Sequence, residues 1–258
     1  MTTLLQKAKV ENLDVLRFTS RQAMGEAAGE AVAGWLRTRL AFQPQVRMIF
    51  AAAPSQSEFL ATLTQAEGID WSRVTVFHMD EYIGLEAKAP QRFSRFLCDA
   101  LFDRVKPGNV HLIEGQGDTQ EICRHYTQLL AEAPIDAVCL GIGENGHLAF
   151  NDPPVADFND PAIIKPVELD EICRQQQVND GCFARLEDVP TRALTLTIPA
   201  LMQAARLFCI VPGATKRQAV ASTLYDPITV ACPATILRQH ADCTLYTDAD
   251  ACAEVTVD

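Results

Sequence analysis

Ile135 to Leu140 is a short apolar run held between Pro134 and Gly141. It is too short for a helix and apolar on both sides, so it reads as a strand buried on both faces, the kind found inside a parallel sheet. That commits the chain to an α/β fold in which helices cover the sheet. The segment that follows, GIGENGHLAFNDPP, gathers glycines, Asn145, His147 and Asp152 into one polar turn.

Gly141, Gly143 and Gly146 match the pattern GxGxxG. As a dinucleotide fingerprint it needs a helix opening at the last glycine, so that a pyrophosphate rests on the helix N-terminus. Pro153 and Pro154 leave no room for one, because each lacks an N–H and disfavours helical geometry before it. The better reading is a glycine loop that lets backbone approach a ligand and exposes a histidine held by polar neighbours.

The 258 residues suit one large α/β domain, and no internal repeat or linker divides them. A net charge of -11 argues against nucleic acid or an anionic membrane as the main partner, yet leaves room for a locally positive site. The 9 cysteines form no CxxC pair and no zinc-type spacing with histidine, so neither a metal nor another cofactor is expected. Their odd number and the absence of a signal peptide point to a reducing cytoplasm. No apolar stretch approaches a membrane span.

In chain order, a weak leader to about Leu16 precedes a long helix capped by Thr19 or Ser20 and running through Phe42. Gly25, Gly29 and Gly34 lower its helix propensity and are expected to mark close packing. Val46 to Ala53 reads as a strand ended by Pro54, and Ser55-Gln56-Ser57-Glu58 as the capping box of the next helix. Val74 to Met79 is another buried strand running straight into Asp80, Glu81 and Tyr82. Helices are expected over Phe93–Val105 and from Asp118 to Ala133. Val155 to Pro190 reads as a long polar loop or lid with short helical pieces. Strands over Ala193–Ile198 and Leu207–Val211, a helix over Pro233–His240 and an edge strand at Thr244–Thr247 complete the pattern.

Two strand-to-helix turns are built for anions. At Ala53 to Ser57, free backbone N–H groups and a helix dipole converge, with Ser55 and Ser57 adding hydroxyls. At Pro212-Gly213-Ala214-Thr215-Lys216, a lysine stands in a first helical turn, where the dipole disfavours a cation unless an anion joins it. The carboxylates at the end of a sheet strand, Asp80 and Glu81, are candidate general bases. Adjacent side chains on an extended backbone point opposite ways, so one of them is expected to face the site.

GIGENGHLAFNDPP, the MDEYIGL run at Met79–Leu85, the PGATK turn and PATILRQH, in that order, resemble the glucosamine-6-phosphate deaminase family, whose superfamily also holds 6-phosphogluconolactonase. The resemblance spans about Phe50 to Thr247. It implies an open, mostly parallel, Rossmann-like α/β sheet and a reaction that turns an amino-sugar phosphate into a ketose phosphate and ammonia, without a metal. Asp80 then resembles the base that moves the proton between carbons 2 and 1. His147 resembles the group that opens the sugar ring, assisted by Asn145 and Asp152. Lys216 and the turn holding Ala53, Ser55, Gln56 and Ser57 resemble the phosphate cradle, with Glu81, Gly143 and Gly146 lining the substrate. Relatives include oligomers, so self-association is an expectation.

Three departures accompany the resemblance. The family's glycine-rich phosphate turn is Ala51-Ala52-Ala53-Pro54-Ser55-Gln56 here. Its lid arginine aligns with Asn179 in QQVNDGCF, leaving Arg174 or Arg185 as substitutes. Its glutamate after FN is Asp152, and Asn145 stands where an aspartate is frequent. Lactone hydrolysis and sugar-phosphate sensing without turnover are the alternatives.

Overall fold

A computed structural model describes residues 3–256. Eight strands form the main sheet: β1 (Leu4–Val10), β2 (Leu13–Phe18), β3 (Val46–Phe50), β4 (Val74–His78), β6 (Asn109–His111), β7 (Ala137–Leu140), β10 (Arg206–Val211) and β11 (Cys243–Asp248). A smaller sheet holds β5 (Asp80–Tyr82), β8 (Ile164–Glu168) and β9 (Arg192–Leu196). The main sheet runs β1-β2-β11-β10-β7-β3-β4-β6, and every neighbouring pair is parallel except the β1–β2 hairpin.

The helices are α1 (Arg21–Phe42), α2 (Ser57–Gln65), α3 (Phe93–Leu97), α4 (Asp103–Val105), α5 (Thr119–Ala131), α6 (Glu171–Asn179), α7 (Ile198–Met202) and α8 (Arg217–Tyr225). Consecutive residues of the central strands feed opposite cores. Met48, Phe50, Ala137 and Cys139 pack with α1 and α2, whereas Ile49, Val138 and Leu140 pack with α5 and α8. Burial on both faces is what the unbroken apolar runs required, so the mostly parallel α/β sheet with helices on either side is as expected. Ser20 caps α1 by accepting from the Ala23 N–H, also as expected. Close packing holds for two of the three α1 glycines: a Cβ on Gly25 would stand 2.4 Å from Glu58 Cβ, and one on Gly29 2.6 Å from Thr62 Cβ. Gly34 has no such neighbour.

Several expectations need correcting. The leader is the β1–β2 hairpin, whose outer strand alternates polar and apolar residues too weakly to signal a strand. It pairs with β11, so the strand read as an edge lies inside the sheet. Ser55 caps nothing: Pro54–Gln56 is a 3-10 turn, α2 begins without a side-chain cap, and Glu58 pairs with Arg21 at 2.7 Å. The segment 155–190 carries the expected short helical piece, α6, and in addition the strand β8, both packed against the rest of the protein.

The chain proceeds outward from β3 through β4 to β6, then returns beside β3 as β7 and proceeds the other way through β10 to β11. Connections therefore diverge between β3 and β7, and a crevice opens at the carboxyl ends of those strands.

Candidate active site

A cleft occupies that crevice. The segments after four parallel strands meet in it: Ala51–Ala53, Ser55 and Gln56 after β3, Met79 and Asp80 after β4, Gly141–Gly143 and His147 after β7, and Lys216 after β10. Gln176 and Gln177 of α6 also line it, as do Phe93, Ala149 and Phe150.

Asp80 stands where the chain leaves the main sheet and enters the small one, opposite Thr195 of β9. The residue is 7 % exposed and lines the cleft, and burial, with help from the charge of Glu81, pushes its pKa well above the ordinary carboxylate range. Glu81, on the opposite side of the strand, is turned inward. Its oxygens accept from the backbone N–H groups of Tyr82 (3.0 Å), Phe93 (3.1 Å) and Ser94 (3.0 Å) and from the Ser94 hydroxyl (2.7 Å), with Arg92 at 3.5 Å. It anchors the start of α3 and does not line the cleft, which corrects its expected substrate contact.

The glycine turn fixes the histidine. Gly143 N–H donates to the His147 carbonyl at 3.0 Å, and a Cβ on Gly143 would lie 2.2–2.4 Å from three imidazole atoms, so only glycine fits under the ring. Asn145 accepts from the His147 backbone N–H at 3.0 Å and donates its amide to Asp152 at 2.9 Å. Asp152 Oδ1 in turn lies 2.8 Å from His147 Nδ1. Burial alone would raise the Asp152 pKa. The hydrogen bond and charge of His147, with the Asn145 amide and the Cys173 thiol, outweigh it and hold the carboxyl below its usual range. Asn145 and Asp152 therefore stand behind the imidazole and outside the cleft lining.

Gly146 also lies outside the lining. It has φ +82 and abuts Cys232, where its carbonyl accepts from Ala234 N–H at 2.8 Å, so its place is the turn itself. Asn151 ties the turn to the small sheet, its amide donating to the carbonyls of Leu148 and Leu196 at 2.8 Å each.

Gln56 is buried and donates to the Ile210 carbonyl at 3.1 Å, which clamps the turn after β3 to β10. Ser57 is exposed and absent from the lining, because the 3-10 turn rotates it outward. Lys216 is 5 % exposed. Desolvation lowers its pKa, partly offset by Asp180 and Glu144, yet among the described residues no carboxylate pairs with it directly. An anion entering the cleft would meet an unpaired buried ammonium.

None of the expected arginine substitutes reaches the cleft. Arg174 donates to the carbonyls of Leu186 (2.7 Å) and Val189 (2.9 Å), and Arg185 pairs with Asp188 at 2.9 Å on the surface. Asn179 is exposed beside Glu144. The inward face of α6 instead carries Cys173, Gln176 and Gln177, spaced i, i+3, i+4, a spacing legible in the sequence once the segment is read as a helix. Gln176 accepts from Glu144 N–H at 2.8 Å. His147, Asp152 and Cys173 also place one nitrogen, one oxygen and one sulfur within 4.8 Å of one another, a grouping that no sequence spacing announced.

The family model for glucosamine-6-phosphate isomerases/6-phosphogluconolactonase matches residues 19–163. A glucosamine-6-phosphate deaminase of Bacillus thuringiensis (strain Al Hakam) is 38% identical over 194 residues, covering 74% of this chain and 72% of its own length. One of Bacillus anthracis (strain A0248) matches to the same extent. Among solved structures, a monomeric glucosamine-6-phosphate deaminase superposes with TM-score 0.84 at 27% identity, over 92% of this chain and 98% of its own. The 6-phosphogluconolactonase of Thermotoga maritima shares the fold, with TM-score 0.74 at 19% identity over 92% of this chain and 98% of its own.

Proposed function

The chain belongs to the family of glucosamine-6-phosphate isomerases and 6-phosphogluconolactonases, and on that premise we propose that it isomerises and deaminates an amino-sugar phosphate, glucosamine 6-phosphate or a close analogue, to a ketose phosphate and ammonia. The observation that carries this reading is one cleft lined by a buried carboxylate, an imidazole and an unpaired ammonium.

The chemistry needs those three groups. Ring opening moves a proton from the anomeric hydroxyl to the ring oxygen, and His147, backed by Asp152, is the group in the cleft able to relay it. Asp80 then takes the proton from carbon 2 and returns one to carbon 1. Its burial suits that work, since desolvation raises the proton affinity of a carboxylate that must take up a carbon-bound proton. The resulting ketose imine takes up water and releases ammonia. Lys216 holds the phosphate, with the Ala53–Gln56 turn beside it and the amides of Gln176 and Gln177 in place of an arginine. Turnover in deuterated water tests the base: the protein should exchange the carbon 2 proton, Asp80→Asn should not, and exchange retained in the variant would refute the role.

All 9 cysteines are free, which suits a reducing cytoplasm. No helix among the described residues is long and apolar enough to cross a membrane. The chain self-associates on this reading, and the molar mass in light scattering tests it.

A further inference from the structure

Behind the imidazole, Cys173 joins His147 and Asp152 in one cluster, and its thiol has no part in the proposed reaction. The three side chains come from the glycine turn, its proline-bounded end and α6, and they are 7%, 1% and 1% exposed. Their nitrogen, oxygen and sulfur atoms lie within 4.8 Å of one another. The three groups already converge: His147 Nδ1 lies 2.8 Å from Asp152 Oδ1, and the Cys173 thiol hydrogen-bonds the same carboxylate.

The geometry points to a binding site for a thiophilic divalent cation, zinc above all, formed by His147 Nδ1, the Asp152 carboxylate and Cys173 Sγ. Imidazole with thiolate selects zinc-like ions over magnesium or calcium, which prefer oxygen alone. A tetrahedral zinc has bonds of about 2.0–2.3 Å, so its ligand atoms stand roughly 3.3–3.8 Å apart. The widest separation in the cluster must contract by up to about 1.0–1.5 Å, while the 2.8 Å contact between His147 and Asp152 opens. Water supplies the fourth ligand. Entry is from the cleft, which His147 lines and which Gln176 and Gln177, one turn beyond Cys173 on the same face of α6, also border.

On binding, the Cys173 thiol proton leaves to solvent as the metal–sulfur bond forms, and the imidazole proton moves to Nε2. The ring is then pinned and can no longer share a proton with Asp152, so a bound ion holds the enzyme off. This inhibition rests on the proposed deaminase activity; the binding itself does not.

The test uses the full chain, stripped with a chelator. Cobalt(II) should give an intense thiolate-to-cobalt charge-transfer band, titrating at one ion per chain and displaced by zinc. Zinc should inhibit ammonia release reversibly. In Cys173→Ser, checked for folding by circular dichroism, the band should disappear and zinc affinity fall at least tenfold; Asp152→Asn should weaken cobalt binding without removing the band. If the protein proves not to release ammonia, the cobalt titration still decides the site. An unchanged band or inhibition constant in Cys173→Ser would overturn the proposal and move the ion to the half-exposed Cys98, Cys123 or Cys182.

Discussion

Asp80 works under opposed demands of stability and chemistry. A carboxyl whose pKa is raised on folding binds its proton more tightly in the native state, so its contribution to stability is greatest at low pH and is lost as pH rises through the folded value. Asp80→Asn should therefore unfold at a higher temperature than the parent chain, with the gap widening from pH 5 to pH 8 in thermal scans. Its turnover should fall by roughly 10²–10⁴-fold, the usual contribution of a positioned base. In the parent chain the acid side of the rate profile should lie above the ordinary carboxylate range, because the base must be unprotonated to act. Gly143 is the second sensitive residue. A methyl group there overlaps the imidazole ring, so Gly143→Ala should keep the fold, by circular dichroism, and lose roughly 10²-fold in kcat, as expected of a misplaced catalytic group.

At the scale of elements, the start of α8 and the body of α6 divide the work of binding. Lys216→Met should raise KM for the phosphorylated sugar about 10- to 100-fold, from a charged hydrogen bond of about 1.5–3 kcal/mol, and leave inhibition by the unphosphorylated sugar unchanged. Arg174→Met should behave differently. Its guanidinium is engaged with the Leu186 and Val189 carbonyls, so the variant should lose thermal stability with little change in KM. The sequence exposed these elements unevenly. The turns holding Lys216 and His147 were legible because a strand, a glycine and a polar residue fall within a few positions of each other. The cleft-facing residues of α6 were not, since a polar segment shows its helical face only once Cys173, Gln176 and Gln177 are seen to be buried together. Glu81 was misread for a related reason: nothing in MDEY tells which carboxylate turns toward the buried N-terminus of α3.

The whole molecule explains why four distant loops share one cleft. Parallel strands deliver all their carboxyl ends to one edge, and the reversal of direction between β3 and β7 parts the connections there. This much was readable from buried strand runs alternating with helices. The hairpin and the interior position of β11 were not, because the outer strand β1 contributes little apolar surface and its pairing is set at long range. On the proposed function, this crevice removes ammonia from an amino-sugar phosphate. The most direct test is ammonia release by the purified protein from glucosamine 6-phosphate, galactosamine 6-phosphate and unphosphorylated glucosamine, with Asp80→Asn alongside. Release from a phosphorylated sugar, lost in the variant, is the predicted result; no release from any of the three, with hydrolysis of a sugar-phosphate lactone instead, would contradict it.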